Sequence, residues 1–357
     1  MGDGSGMTRS LRPVLARLAG ALACAAFLAP ALTQAQNKAD AAKSKSRQAQ
    51  MKAADAPLKQ GNAFREQGEY DKAIEKYSEV IKVAPDLFQA WANRGSTRVE
   101  LGASKLEMKN DPAALAQGAE FVKLGGEDFD MALKLAPKDR AIEVRNNRAS
   151  SFSRAGNFDV AFADYEILIK DDPKNLKTYI FNRGVAYLDR ASAVRDKVRL
   201  EKRSLDAGIT AAKADFDLAM ADFTEALKLD PKMTVAYLNR GTCYTRILEY
   251  EKAVEDYSKA IQLDPANKRA YRSRGEVNKA LSEGLRQMGD KDKAAELKAL
   301  SDKDFAKYEE LTKLPPGAAG GTALPVAPVG GAKPAASPAV APAPAPTPTP
   351  AAAIPAK

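Results

Sequence analysis

The hydrophobic residues of this chain recur at helical spacing in a series of similar stretches. In AYLNRGTCY, residues 236–244, Tyr237, Gly241 and Tyr244 fall on one face when residues are placed 100° apart. Related stretches are AWANRGSTR (90–98), EVRNNRASSF (143–152), IFNRGVAY (180–187) and YRSRGEVN (271–278). A second amphipathic phrase with an Asp-Phe or Asp-Tyr pair follows each: EDFDMALKLAP (127–137), ADYEILIKDDP (163–173), ADFTEALKLDP (221–231), EDYSKAIQLDP (255–265) and KDFAKYEEL (303–311). The pattern predicts a repeated pair of amphipathic helices, called here helix A and helix B.

Each unit also carries a small residue and a proline at fixed places. The small residue lies at the centre of helix A, where it allows a second helix to approach closely: Gly61, Gly95, Ala149, Gly184, Gly241 and Gly275. A proline closes each of the first five units: Pro85, Pro137, Pro173, Pro231 and Pro265. Because proline cannot continue a helix, it fixes the break between one unit and the next.

These units resemble the tetratricopeptide repeat (TPR) family, whose unit is a helix–turn–helix of thirty-four residues. With the small residue counted as position 8, the family pattern falls at positions 4, 8, 11, 20, 24, 27 and 32. In the fifth unit these positions hold Tyr237, Gly241, Tyr244, Ala253, Tyr257, Ala260 and Pro265. The resemblance covers about residues 54–313. It implies an all-α, right-handed α-solenoid of about six helix pairs.

The units alternate in length. The small residue and the proline are 24 positions apart in units one, three and five, but 42 apart in unit two and 47 apart in unit four. Unit six is longer by 14. We therefore expect the even-numbered pairs to be lengthened into long hairpins, with tips near Asn110–Pro112, Leu205–Gly208 and Met288–Asp290. Such hairpins could clasp the neighbouring unit, associate with a second copy, or hold a partner.

An arginine lies on the stripe that should be buried. Position 7 of units two to six is arginine where the family has leucine, and the same units have aspartate at position 23; unit one has Gln60 and Lys76 instead. Arginine is rarely buried unless it is paired. We therefore predict a salt bridge between helices A and B of each unit, stacked as a ladder: Arg94–Asp128, Arg148–Asp164, Arg183–Asp222, Arg240–Asp256 and Arg274–Asp304.

The inner curved face of a repeat stack is formed by one helix of each unit. A row of amides that could hydrogen-bond a peptide backbone stands at position 6: Asn93, Asn147, Asn182 and Asn239. The resemblance implies contacts with extended peptides here; the alternative is that each Asn bonds a neighbouring repeat. Units four and five add a candidate apolar patch for a partner: Phe181, Val185, Leu188, Val235 and Leu238. Packing beneath the hairpin of unit four is the alternative for this patch.

The flanks differ in composition from the repeats. Residues 1–35 read as a cleavable signal peptide, with three arginines before the apolar run 18–32 and small residues before a cut after Ala35. Residues 36–56 form a basic Ala/Lys linker, residues 57–314 the solenoid, and residues 315–357 a Pro/Ala-rich disordered tail. This organisation predicts a periplasmic or secreted protein with no membrane span after signal removal. An uncleaved anchor, a start at Met7 and a lipidated Cys24 stay open.

Composition bears on the class of function. The chain has no histidine, and Cys243 is the one thiol outside the signal. With no metal-ligand spacing or phosphate loop either, the sequence predicts no enzyme and no cofactor. The formal charge of +9 lies mostly in the flanks, so residues 57–313 are close to neutral and nucleic-acid binding is not expected. The favoured hypothesis is a scaffold or adaptor that holds extended segments of envelope proteins. The alternative is an accessory protein that binds anionic surface polymers or nucleic acid through residues 36–56.

Overall fold

A computed structural model describes residues 12–108 and 110–313, with side chains at residue 38 and from residue 40 onward. Over these ranges the chain forms twelve α-helices and no strand. The helices are α1 (Arg12–Glu66), α2 (Tyr70–Val83), α3 (Phe88–Leu106), α4 (Pro112–Leu135), α5 (Lys138–Arg154), α6 (Phe158–Asp171), α7 (Leu176–Leu200), α8 (Leu205–Leu229), α9 (Thr234–Arg246), α10 (Tyr250–Leu263), α11 (Lys268–Met288) and α12 (Lys291–Lys313). Each odd-numbered helix is the helix A of a unit, and the even-numbered helix that follows is its helix B.

The helices pack as six consecutive pairs. Each helix A contacts its own helix B and also helix A of the next unit. Among the described residues, no such contact joins the B helices of successive units. Because successive A helices touch and successive B helices do not, the stack of helix pairs must curve toward the A helices. The A helices therefore line the concave face. The predicted all-α solenoid of six helix pairs is confirmed.

The small residue at the centre of helix A lets an aromatic ring of helix B lie against the backbone. A Cβ added at Gly241 would lie 2.9 Å from Cε1 of Tyr257, and one added at Gly184 would lie 2.9 Å from Cε1 of Phe223. Both rings are buried. A larger residue at position 8 would therefore push the two helices apart, which explains the spacing seen in the sequence.

The even-numbered units form three long hairpins, here called arm one (α3/α4), arm two (α7/α8) and arm three (α11/α12). In arm one the backbones touch at two crossings: a Cβ on Gly95 would meet the carbonyl oxygen of Gly125 at 2.9 Å, and one on Gly102 that of Gly118 at 2.7 Å. These two pairs of glycines allow the backbones of α3 and α4 to stay in close contact along the part of the hairpin that a standard unit lacks.

The tips of arms one and three lie where the sequence predicts them. Asp111 caps α4 by accepting hydrogen bonds from the backbone N–H of Ala113 and Ala114, both at 3.0 Å. Gly289 ends α11 in the left-handed conformation, with φ of 92°.

The predicted tip of arm two was wrong by about four residues. Leu205–Gly208 belongs to α8, and the turn precedes it. Lys202 takes the left-handed conformation with φ of 56°, and the Ser204 hydroxyl accepts a hydrogen bond from Ala207 N–H at 3.1 Å. Serine at the cap therefore starts the helix before the Leu-Asp-Ala-Gly run that resembles a turn.

The N-terminal helix is continuous from Arg12 into the first repeat. Its described side chains are exposed as far as Ala53, whereas Ala54 is buried against Val80, Ala84 and Leu87. The expected signal peptide is described only as backbone from Arg12, and the Pro/Ala-rich tail lies outside the described residues. Of the helices that are described, none combines the length and the apolar character that a membrane crossing needs.

Candidate functional site

The five arginines at position 7 each contact the aspartate expected for them. In every unit from two to six, the arginine Nε and Nη2 donate to the two carboxylate oxygens at 2.7–2.9 Å. All five aspartates are buried. The hydrogen bonds to aspartate raise the pKa of Arg148, Arg183, Arg240 and Arg274 above its ordinary value, against the opposing effect of burial. These pairs therefore stay charged inside the helix layer and join helix A to helix B.

An aromatic ring at position 4 covers several of the guanidinium groups. The Arg94 guanidinium lies 4.9 Å from the Trp91 ring centroid, and that of Arg240 lies 5.6 Å from Tyr237. Stacking of this kind is favourable because the ring face is electron-rich. It explains how an arginine occupies a stripe that is otherwise apolar.

Sequence reasoning missed a third bond from these arginines to the preceding unit. The remaining Nη1 donates to the residue after the position-24 aromatic: Arg94 to Ser78 at 3.0 Å, Arg148 to Asp130 at 2.6 Å, Arg240 to Thr224 at 3.0 Å and Arg274 to Ser258 at 2.9 Å. The sequence does contain a pattern that could have revealed this bond, because a polar residue directly follows the position-24 aromatic residue in these units. Each of these guanidinium groups thus ties three helices from two units.

The junction between units three and four is held differently. Glu166 stands at the equivalent place, but no hydrogen bond from Arg183 to it exists among the described residues. Instead the Phe162 and Tyr187 rings stack with centroids 4.2 Å apart, and the Arg190 guanidinium lies 4.6 Å from the Phe162 ring. This junction is therefore joined by stacked rings and not by the ladder.

The row of asparagines on the concave face is divided. The Asn93 amide donates to Asn62 of the preceding unit at 3.1 Å, which is the alternative considered for the row. Asn147, Asn182 and Asn239 are half-buried, and they make no hydrogen bond within the described part of the chain. Beside them, Oδ1 of Asn146 is buried without a partner. The amides of units three to five are thus the ones free to bind a backbone.

The predicted apolar patch was wrong at two positions. Leu188 and Leu238 are only 7% and 4% exposed and belong to core clusters, so they are not available to a partner. Leu188 packs against Phe216 and other residues of arm two. This is the arrangement considered above as the alternative, in which the patch packs beneath the hairpin of unit four. Leu238 lies among residues of α10 and α11.

The remaining apolar positions are better placed for a partner. Val235 is 39% exposed, while Phe181 and Val185 are half-buried at the edge of the core. The accessible apolar surface is therefore smaller than the sequence suggested and centres on these three residues.

The acidic residue at position 13 of helix A is paired in unit two and unpaired in unit four. Glu100 accepts two hydrogen bonds from Arg65, at 2.9 and 3.0 Å, and pairs with Arg154 at 3.3 Å. Asp189, at the same position of unit four, has no salt bridge among the described residues. Although Asp189 is an exposed residue, partial desolvation of its carboxyl group raises its pKa to about 6, and the positive charge of Arg269 opposes that rise.

Two further features concern chemistry. Cys243 is buried, and burial raises the pKa of its thiol well above the ordinary value. Over residues 12–108 and 110–313, no group of three or more His, Cys, Asp or Glu side chains is placed to hold a metal ion.

Comparison with known proteins gives matches to repeat families. A TPR repeat model matches residues 61–102, and a tetratricopeptide repeat model matches residues 234–267. Human tetratricopeptide repeat protein 6 is 25% identical over 184 residues, which cover 49% of this chain and 32% of that protein. The chain thus spans about a third of the length of this relative.

Solved structures with a similar arrangement include those of PilW and PilF. PilW, a type IV pilus biogenesis factor, has a TM-score of 0.45 at 14% identity and covers 73% of this chain and 97% of its own. PilF of Pseudomonas aeruginosa has a TM-score of 0.43 at 16% identity, and the match covers 74% of this chain and 98% of PilF. Because both TM-scores lie below 0.5, neither likeness bears on what this chain binds.

Both matched segments fall on units whose helix pairs, central glycine and closing proline are described above. The human relative carries the same repeat in its name. The chain therefore contains tetratricopeptide repeats, which the family models match at residues 61–102 and 234–267.

Proposed function

We propose that this protein is a non-catalytic scaffold that holds an extended segment of a partner protein in its concave face. The observation that carries the proposal is the row formed by Asn147, Asn182 and Asn239, half-buried amides without hydrogen bonds among the described residues. Unpaired amides that are partly withdrawn from water gain most from a ligand that satisfies both the donor and the acceptor. An extended backbone offers both groups along its length.

The surroundings of the row suit a polypeptide. Val235 presents exposed apolar surface next to Asn239, and Phe181 and Val185 flank Asn182. A small apolar patch with polar groups around it is the usual composition of a protein-binding surface. The amides would provide affinity for any sequence, and the apolar residues would select side chains.

A photo-crosslinking experiment tests this proposal. Two variants carry a photoreactive amino acid, one at Val235 and the other at the exposed Leu218 of α8. Each is mixed with an envelope extract and irradiated. We expect covalent adducts with another protein from position 235 only, and we expect their yield to fall several-fold when Asn182→Ala and Asn239→Ala are added. The matched control is Asn157→Ala, whose side chain is exposed and caps nothing. Equal adducts from both positions would contradict a concave binding face.

The envelope location is part of the same proposal. It is supported by the order of basic, apolar and small residues within residues 1–35. N-terminal sequencing of the protein from fractionated cells should give a mature chain that starts at Gln36. An intact N-terminus in the cytoplasmic fraction would refute the location without affecting the scaffold.

A second candidate rests on the exposed part of α1. Lys38, Lys43, Lys45 and Lys52 point into solvent, while Arg47 pairs with Asp86 at 3.5 Å. Such a helix could bind anionic surface polymers by charge alone. Deletion of residues 38–53 should then release the protein from envelope material in a salt-dependent manner, whereas the scaffold proposal expects partner crosslinking to persist.

A further inference from the structure

The three most exposed large apolar side chains of the described residues lie at the tips of the three arms. Met288 of arm three is 80% exposed, Leu200 of arm two 69% and Met108 of arm one 56%. Within the described chain, the turns of the short units carry no large apolar side chain of comparable exposure, and two of them hold Gly68 and Gly156. Exposed apolar residues at three equivalent places differ from the scattered ones that any protein surface shows.

The exposed side chains lie outside the buried interfaces of their arms. In arm two, α7 packs against α8 through the buried Val198, whose Cγ1 is 3.7 Å from where a Cβ on Gly208 would be. In arm one, the Cγ of Leu106 is 3.0 Å from where a Cβ on Gly118 would be. In both arms the exposed residue stands two positions further towards the tip, where its side chain stays in solvent.

The three tips lie at the same edge of the solenoid. In arm two, Arg183 of α7 bonds Asp222 of α8. Later on α7, Arg190 bonds Asp215, which comes earlier on α8, so the two helices are antiparallel. Each unit repeats this hairpin and each helix A packs against the next, so every turn from helix A to helix B falls at one edge. The lengthened units therefore project from that edge beyond the short units between them.

The tip of arm two is basic. Residues 195–206 carry five basic and three acidic side chains, a net charge of +2. Asp196 lies 3.5 Å from Arg199, and Glu201 lies 3.9 Å from Arg203, but both ion pairs are exposed and contribute little. The cations with exposed side chains around Leu200 are Lys197, Arg199, Lys202 and Arg203.

The other two tips differ in charge. Residues 286–293 of arm three carry three basic and two acidic side chains, a net charge of +1. One of these acids, Asp290, accepts a hydrogen bond from the backbone N–H of Lys293 at 3.2 Å. In arm one, the described charged side chains nearest to Met108 in the chain are those of Glu107 and Asp111. Arms two and three thus combine an apolar side chain with positive charge, whereas arm one offers apolar surface alone.

An anionic bilayer fits this arrangement better than a folded partner protein does. Each tip offers one large exposed apolar side chain, and a short unit separates each arm from the next. A protein-binding surface is a contiguous patch, whereas a bilayer accepts separate insertions anywhere along its surface. Lys and Arg side chains beside the inserted residues add attraction to anionic lipid head groups.

We propose that arms two and three bind the surface of an anionic lipid bilayer. Leu200 and Met288 would enter the head-group region, while the neighbouring Lys and Arg side chains contact lipid phosphates. Met108 would add a third apolar contact. Membrane binding at the tips is independent of the scaffold function, because the asparagine row lies on the concave face and not at this edge.

A fluorescent dye at the tip tests for insertion. In a Cys24→Ala background, where Cys243 is buried, an environment-sensitive dye is attached to the full chain at Leu200→Cys. The control carries it at Leu218→Cys, an exposed position on the body of α8. With vesicles of phosphatidylcholine and phosphatidylglycerol, we expect emission to rise about threefold at position 200 and not at position 218. Vesicles of phosphatidylcholine alone, or concentrated salt, should largely abolish the rise.

Further substitutions in the chain labelled at position 200 test the charges and the second arm. Lys202→Gln plus Arg203→Gln should raise the lipid concentration for half-maximal emission about tenfold. Lys213→Gln plus Lys228→Gln removes the same charge from the body of α8 and should change it less than about twofold. Met288→Asp should raise it about fivefold, because the second insertion is lost.

Several outcomes would overturn the proposal. These are an equal rise at positions 200 and 218, an equal rise with and without phosphatidylglycerol, or equal effects of the two double substitutions. A rise that depends on protein concentration without vesicles would assign the tips to contacts between copies. A rise with DNA but not with vesicles would assign them to a polyanion in solution, and either result would exclude the bilayer.

Discussion

Arg240 and Asp256 are joined by two parallel hydrogen bonds of 2.8 Å across the fifth helix pair. The arginine side chain is 19% exposed and the aspartate 7%. Because the pair is largely withdrawn from water, Asp256→Asn should leave a guanidinium charge without its counter-charge. We expect a loss of about 2–4 kcal/mol in the free energy of unfolding, measured by urea denaturation.

An exposed ion pair provides the control for this change. Asp302 pairs with Lys298 one helical turn away, and both side chains are well exposed. Asp302→Asn should therefore alter stability by less than about 0.5 kcal/mol. Equal effects of the two substitutions would show that the ladder does not stabilise the fold.

The bond from Arg274 to Ser258 links units five and six at 2.9 Å. Ser258→Ala should cost about 1 kcal/mol, since it removes a hydrogen bond to a charged group while leaving the packing intact. In an Arg274→Gln background the same substitution should have almost no effect. A double-mutant cycle by denaturation measures this coupling, and additive losses would mean that the serine acts through some other contact.

The close glycine contacts of arm one should not tolerate a methyl group. Gly102→Ala places a Cβ 2.7 Å from the Gly118 carbonyl oxygen, so we expect a loss of about 1–3 kcal/mol from forcing α3 and α4 apart. Gly284 of α11 has nothing within 4 Å of that position. Gly284→Ala should therefore stabilise the protein by about 0.5–1 kcal/mol through helix propensity. Thermal melts of the two variants should shift in opposite directions.

Asp189 should make stability depend on pH. Its folded pKa of about 6 lies above the ordinary 3.8, so the folded state binds the proton more tightly than the unfolded chain does. The stabilising effect of that proton is present below about pH 4 and is lost as the pH rises through 6. Asp189→Asn should then raise the melting temperature at pH 7.5 and give no gain at pH 4. A gain of the same size at both pH values would contradict this origin.

The Cys243 thiol should be inert in the folded protein. Because burial raises its pKa, little thiolate is present at pH 8, and reagent has no access. In a Cys24→Ala background, Ellman's reagent should label the thiol only as fast as the chain unfolds, and at once in guanidinium chloride. Rapid labelling without denaturant would show that unit five opens locally.

The ladder was predictable because its two members are absent together. Unit one lacks both Arg at position 7 and Asp at position 23, and covariation within one chain is a signal of contact. The third bond, from Arg240 to Thr224, was not predictable in this way. It spans two units, and its acceptor is Ser, Thr or Asp in different repeats.

The concave face was predictable only in part. A helical wheel treats one helix at a time, so it placed Leu188 and Leu238 with Val235 on an open face. In the stack, neighbouring helices cover the edges of that face, and only residues near its centre stay open. Asp189 holds the same position as Glu100 but has no salt bridge among the described residues, and no periodicity records whether a partner is within reach.

The stacked rings of Phe162 and Tyr187 give the molecule a mechanical asymmetry. Four of the five junctions between units include a charge-assisted bond from the ladder, and the one between units three and four does not, as far as the described residues extend. A hydrogen bond fixes the direction of its two partners, whereas stacked rings can slide over each other with little loss of contact. The two halves of the solenoid are therefore joined at its midpoint by the contact that best tolerates a small change of angle.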